Sequence, residues 1–182
     1  MWKILSSREI FRHPRLTLIE DIVLLPDGTK TDYLKFKYTA NAASVIAKGG
    51  DGKILIGKEY SHPVGEWLYQ FCGGEVPLGE EIEIGANREL MEEAKLRAGK
   101  LELLGSYLIN NRRSQSKMYV FLATELEEKF LEGDKEEDIK LFWKSEDEID
   151  AMIRNGEIAN CHFLASWTMY KAHYKNEDKI KG

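Results

Sequence analysis

The chain has 182 residues, of which 43% are hydrophobic and 31% charged, and carries a formal net charge of −5. That length suits one domain with a small appendage, and the composition is that of a globular protein rather than a fibrous or disordered one. No apolar run approaches the roughly 18 residues that span a bilayer, no signal-peptide core stands at the N-terminus, and the one basic stretch is Arg112-Arg113, so neither a membrane nor a nucleic-acid polymer is expected as main partner.

The first predicted element is a hairpin over residues 16–38. Its strands are Leu16–Leu25 and Thr31–Thr39, around a turn at Pro26-Asp27-Gly28. Leu34, Phe36 and Tyr38 alternate with Lys35 and Lys37, the period-two mark of a half-buried strand. A second hairpin is expected from Ala42–Ala47, a turn at Gly49-Gly50-Asp51-Gly52, and Ile54–Tyr60. Trp67–Phe71 reads as a short strand running into Cys72-Gly73-Gly74, and a turn with Pro77 and Gly79 leads into a helix carrying Arg88, Glu89, Glu92 and Glu93. Strands near Leu101–Ile109 and Met118–Leu126 follow, then an acidic loop over Glu127–Asp138. Ser145 and Glu148 have the spacing of a capping box, opening a helix through about Asn155 that Gly156 ends. Asn160 can cap a last helix, on which Phe163, Leu164, Trp167 and Tyr170 mark a buried face. Mixed strands with helices at the middle and end predict an α/β sandwich. Two cysteines, Cys72 and Cys161, suit a reducing, cytoplasmic setting, and Cys72 reads as packing because no neighbour in sequence would activate it.

The acidic helix is the informative segment. Residues advance about 100° each along a helix, so Glu89, Glu92 and Glu93 share one face. Three like charges there repel, and a chain that keeps them offsets them with cations. Arg88, one turn before Glu92, supplies part of that charge. The remainder is the oxygen-rich surface that Mg²⁺ or Mn²⁺ prefers.

The full spacing resembles the Nudix box, G-x5-E-x7-R-E-U-x-E-E-x-G-U with U aliphatic. Gly74, Glu80, Arg88, Glu89, Leu90, Glu92, Glu93 and Leu96 fill its places, and Lys95 stands where the second Gly belongs. Lys58-Glu59-Tyr60-Ser61-His62-Pro63 and Trp67-Leu68-Tyr69-Gln70-Phe71 are similar to the EQYRHP…WLWELPAG stretch of the ADP-ribose and sugar-nucleotide pyrophosphatases. The resemblance implies an α/β/α sandwich with a mixed sheet over residues 40–182. Ahead of it, residues 1–39 would form an N-terminal β-hairpin subdomain through which two subunits exchange strands as a homodimer.

It also implies metal-dependent hydrolysis of a small nucleoside diphosphate derivative. Carried over by position, Glu89 and Glu93 ligate Mg²⁺ or Mn²⁺, and Glu92 binds a shared metal or holds one through water. Arg88 orients the carboxylates, and the Gly73 carbonyl adds a ligand. The acidic loop supplies a base or further ligand, for which Glu136 and Glu137 are the candidates. Ser61 replaces an Arg that clamps the diphosphate in the family, so Arg112, Arg113 or Lys58 are the candidates to substitute for it. With Lys95 in the place of the terminal Gly, the helix is expected to continue to about Ala98, with Gly99 beyond its end. Two other readings stay open: a non-catalytic Nudix-like nucleotide-binding sensor, and a Nudix NTP pyrophosphohydrolase.

Overall fold

Ala43–Ala47 and Val120–Ala123 are buried throughout, and their side chains divide between two cores. Val45, Ala47, Phe121 and Ala123 face one core, while Ile46, Val120 and Leu122 face the other. Strands covered on both faces require helices on each side, which accounts for their nearly unbroken apolar sequence. The computed structural model describes residues 1–133 and 138–180, with side chains up to residue 173.

The elements are β1 (Lys3–His13), β2 (Leu16–Leu24), β3 (Lys30–Phe36), β4 (Ala40–Ala47), β5 (Ile54–Ser61), β6 (Glu66–Gln70), β7 (Glu75–Pro77), α1 (Ile82–Ala94), β8 (Leu96–Leu108), β9 (Lys117–Glu128), β10 (Ile139–Lys144), α2 (Glu146–Arg154) and α3 (Cys161–Ile180). One sheet has the order β7-β4-β9-β8, with β4 and β9 parallel, and a second has the order β10-β5-β6, antiparallel. Ala86, Leu90 and Ala94 of α1 fill the first core; Ile149 and Met152 of α2 with Phe163, Trp167 and Tyr170 of α3 fill the second. The result is an α/β/α sandwich with a mixed sheet, as the sequence predicts. Ser145 forms the expected reciprocal capping box with Glu148, and Asn160 Oδ1 accepts from the Phe163 amide at 2.8 Å. No described helix is long and apolar enough to cross a membrane.

By its internal contacts the chain divides into two units: Met1–Ala40 with Leu108–Lys117, and Asn41–Tyr107 with Met118–Gly182. In the first, β1-β2-β3 form an antiparallel sheet, so the predicted hairpin gains a third strand. Asp21 is buried there, accepting from Ser7 Oγ at 2.6 Å and pairing with Lys35.

Three expectations need correction. The predicted hairpin of β4 and β5 is not one: the turn forms, but only an isolated Lys48–Ile54 bridge joins the strands, because β4 pairs with β9 and β5 with β6 and β10. A strand, β10, occupies Ile139–Lys144, where none was expected. And α1 does not run on to Ala98. It ends at Ala94, and Lys95 itself takes the left-handed conformation, with φ 59° and ψ 29°. Strand β8 begins at once at Leu96, so the chain must reverse at Lys95 whether or not a glycine stands there.

Candidate active site

The site forms where the two-glycine strand end following β6 meets the buried face of α1. Val45 N–H donates to Cys72 O at 2.7 Å and Ala43 N–H to Gly74 O at 2.9 Å, drawing this segment against β4. At position 73 only glycine fits. A β-carbon on Gly73, whose φ is +145°, would lie 2.0 Å from Ala43 O. On Gly74 it would lie 2.7 Å from Glu89 Oε2, so the Glu89 carboxylate fills the space the missing side chain leaves.

Helix α1 brings its carboxylates to that strand end. Glu89 is 8% exposed, and Glu93 Oε2 accepts from the Gly73 amide at 3.1 Å. Arg88 is the hub of the cluster. Its Nη1 lies 2.8 Å from both Glu89 Oε1 and Glu92 Oε2, its Nε donates to Glu80 Oε1 at 3.2 Å, and its Nη2 donates to Glu75 O at 3.1 Å. Burial by itself would lower the Arg88 pKa, but the Glu80 hydrogen bonds and the Glu89 and Glu92 charges raise it above the ordinary guanidinium value. Glu80, a place-filler in the box pattern, thus proves to be an anchor for Arg88. Cys72 is buried, and that burial together with the Glu93 carboxylate pushes its thiol well above the usual value, as expected of a packing residue and not a nucleophile.

Among the described residues, no group of three or more Asp, Glu, His or Cys side chains is placed so that it could already hold a metal ion. Arg88 occupies the gap between Glu89 and Glu92. The donor chemistry nevertheless fits a hard divalent cation. Glu89 and Glu93 both abut the Gly73-Gly74 backbone, the carboxylates and the backbone carbonyls supply oxygen donors, and Arg88 engages Glu89 through Oε1 while Oε2 is the oxygen nearer Gly74.

Two clefts open on this strand end. One of about 520 Å³ is lined by Glu80, Arg88, Glu89, Glu92, Glu132 and Gly133. The other, about 400 Å³, is lined by Gly73 and Gly74 with Ser61, His62, Gln70 and Asn160. Glu132, Gln70 and Asn160 are not among the site residues expected from sequence, although Asn160 is the expected cap of α3. Glu132 lay unmarked within an acidic run, and Gln70 and Asn160 depend on strand pairing and a helix start to reach the cleft.

Lys58, Arg112 and Arg113 make contacts of their own. Lys58 Nζ stacks 4.7 Å from the centre of the Tyr69 ring. Arg113 donates to Leu34 O at 3.0 Å and sits over Tyr33, while the Arg112 carbonyl accepts from Tyr33 Oη at 2.5 Å, all within the first unit. Glu136 and Glu137 fall outside the described residues.

A family model for the NUDIX domain matches residues 38–165. The chain belongs to the Nudix hydrolase family. A model for the nucleoside diphosphate sugar hydrolase N-terminal domain matches residues 2–33. Among relatives of this Nudix protein, the ADP-ribose pyrophosphatase of Bacillus subtilis (strain 168) is 30% identical over 124 residues, 68% of this chain and 66% of that one. The ADP compounds hydrolase NudE of Escherichia coli (strain K12) is 28% identical over 130 residues, 71% of this chain and 70% of that one. The chain thus spans about two thirds of each relative's length. A crystal structure of an ADP compounds hydrolase shares the fold, with a TM-score of 0.89 at 20% identity over 97% of this chain and 95% of that one.

Proposed function

We propose that this Nudix protein hydrolyses the diphosphate bond of a nucleoside diphosphate linked to a sugar, ADP-ribose foremost, giving a nucleoside monophosphate and a sugar phosphate. The observation that carries the reading is the convergence of Glu89 and Glu93 on the Gly73-Gly74 strand end, beside a cleft that also holds Glu92 and Arg88. Glu89, Glu92, Glu93 and the Gly73 carbonyl are the groups that would hold Mg²⁺ or Mn²⁺. Such an ion supplies charge neutralisation at the diphosphate and a bound water of lowered pKa.

The protein's own part is orientation and charge. Arg88 fixes the Glu89 and Glu92 carboxylates from one guanidinium, so both are held before substrate arrives. Glu136 of the acidic segment is our candidate for the base that would take a proton from the attacking water, and Glu137 would serve as a further ligand. Cleavage then places one phosphate on each product. Arg112, Arg113 and Lys58 are our candidates for holding the diphosphate in the absence of an Arg at position 61.

The match to a nucleoside diphosphate sugar hydrolase N-terminal model favours a sugar-linked diphosphate over an NTP. We place the protein in the cytoplasm on the strength of its two free thiols. We further propose a homodimer that exchanges the N-terminal strands. Apolar side chains of the first sheet, Ile4, Phe11 and Leu34 among them, stand exposed in the single chain, and a partner would cover them.

The test is a panel of ADP-ribose, other nucleotide sugars, dinucleotides and NTPs, with products resolved by chromatography. AMP and ribose phosphate from ADP-ribose support the reading. Preference for an NTP with release of pyrophosphate, or binding without turnover, overturns it.

A further inference from the structure

The family pattern has glycine where this chain has Lys95, and Lys95 adopts the left-handed conformation that glycine would take without strain. Its side chain does something glycine cannot. Lys95 Nζ donates to Glu92 O at 2.5 Å, a carbonyl in the last turn of α1, and to Leu131 O at 3.2 Å, and it lies 4.5 Å from the centre of the Phe130 ring. Carbonyls at a helix C-terminus lack partners within the helix, and a cation there is favourable. The backbone repeats the link: Lys129 N–H donates to Lys95 O at 2.9 Å, and Leu131 N–H reaches Met91 O at 3.4 Å. Farther on, a β-carbon on Gly133 would lie 3.3 Å from Glu92 O, so the segment still runs against the helix. Glu132 and Gly133 then line the same cleft as Glu89 and Glu92.

We infer that Lys95 is a positioning residue: it ties segment 129–133 to the end of the carboxylate helix and so fixes the Glu132–Gly133 wall of the reaction cleft. The inference rests on reading that cleft as the hydrolytic site. A misplaced wall alters how reacting groups are aligned more than how tightly substrate is held, so its loss falls on kcat.

The experiment compares Lys95→Gly, Lys95→Met and Lys95→Arg with the wild type, using ADP-ribose and Mg²⁺ for kinetics. Backbone amide exchange of Lys129 and Leu131 is followed in protein free of metal and substrate. Lys95→Gly relieves the backbone, so it folds and melts at or above the wild-type temperature. It nevertheless loses about tenfold in kcat with KM within about twofold, and Lys95→Met does the same. Lys95→Arg, which keeps a donor cation, recovers most of the loss. Exchange at Lys129 and Leu131 quickens about tenfold in the Gly and Met variants.

Wild-type kcat in Lys95→Gly overturns the inference, as does a loss of activity that only follows a lowered melting temperature. Unchanged amide exchange overturns it whatever the activity. An inactive wild type sinks the hydrolytic reading instead, so the two failures are distinguishable.

Discussion

Arg88 Nη1 lies 2.8 Å from Glu92 Oε2, one helical turn further on, and the same nitrogen lies 2.8 Å from Glu89 Oε1. One planar guanidinium thus fixes two of the three carboxylates clustered on α1 while Glu80, the fourth of the box, holds it from the other side. A lysine keeps the charge but cannot reproduce that fork. Arg88→Lys is expected to lose about 10- to 100-fold in kcat, the range typical of groups that orient metal ligands. Steady-state kinetics on a variant with unchanged circular dichroism checks this. Near-wild-type turnover means that Arg88 serves only to balance charge.

Arg112 and Arg113 differ in what already engages them. The Arg113 guanidinium donates to Leu34 O and covers Tyr33, whereas Arg112 enters that network through its carbonyl. Arg112→Ala is therefore the change expected to raise KM about tenfold with little effect on kcat, since a charge-assisted phosphate contact contributes roughly 1.5–3 kcal/mol. Arg113→Ala is expected to lower the melting temperature. If neither variant changes KM, these arginines do not contact the diphosphate.

The capping box gives a pH-dependent prediction. Glu148 is held down to about 2, first by the Ser145 backbone hydrogen bond and then by Lys144 and the Ser145 side chain. A carboxylate depressed in the folded state adds stability that is fully present above its unfolded value and is lost as the pH falls through its folded one. Wild type should melt above Glu148→Gln at neutral pH. The gap should narrow below about pH 4.5 and close near pH 2. A gap independent of pH would show that the charge on Glu148 is not what matters.

How much of this was legible in the sequence depended on whether a residue's role is local. The box places, the capping box and the aromatic face of α3 all rest on spacing within one element, and spacing can be read directly. Strand β1 could not be read that way. Its apolar residues come in adjacent pairs, Ile4-Leu5 and Ile10-Phe11, which break the period of two, and its pairing with β2 shifts register at both places, between Ile4 and Ser6 and between Glu9 and Phe11. Lys95 misled for a related reason. Its intrinsic preference is to continue a helix, but the immediate start of β8 and the carbonyls that receive its ammonium override that preference. Glu132 reaches the cleft through those tertiary contacts, which no spacing encodes.

The first sheet leads to a prediction about assembly. Exposed Ile4, Phe11 and Leu34 are expected to be covered by a second copy, so light scattering at micromolar concentration should give the mass of a dimer. Deleting residues 1–39 should leave monomers or aggregate. A wild-type monomer under those conditions contradicts strand exchange.

The central claim is that the Glu89, Glu92 and Glu93 carboxylates work through a divalent ion at the Gly73-Gly74 strand end. Its most direct test is hydrolysis of ADP-ribose by wild type and Glu93→Gln, each measured with EDTA and after Mg²⁺ or Mn²⁺ is restored. A neutral side-chain amide at this position cannot supply the charge that Glu93 brings to the Gly73 amide. The account predicts activity abolished by EDTA and recovered with either ion in wild type, and a loss of at least about a hundredfold in kcat for Glu93→Gln. Turnover that survives EDTA, or a Glu93→Gln enzyme as fast as wild type, would contradict it.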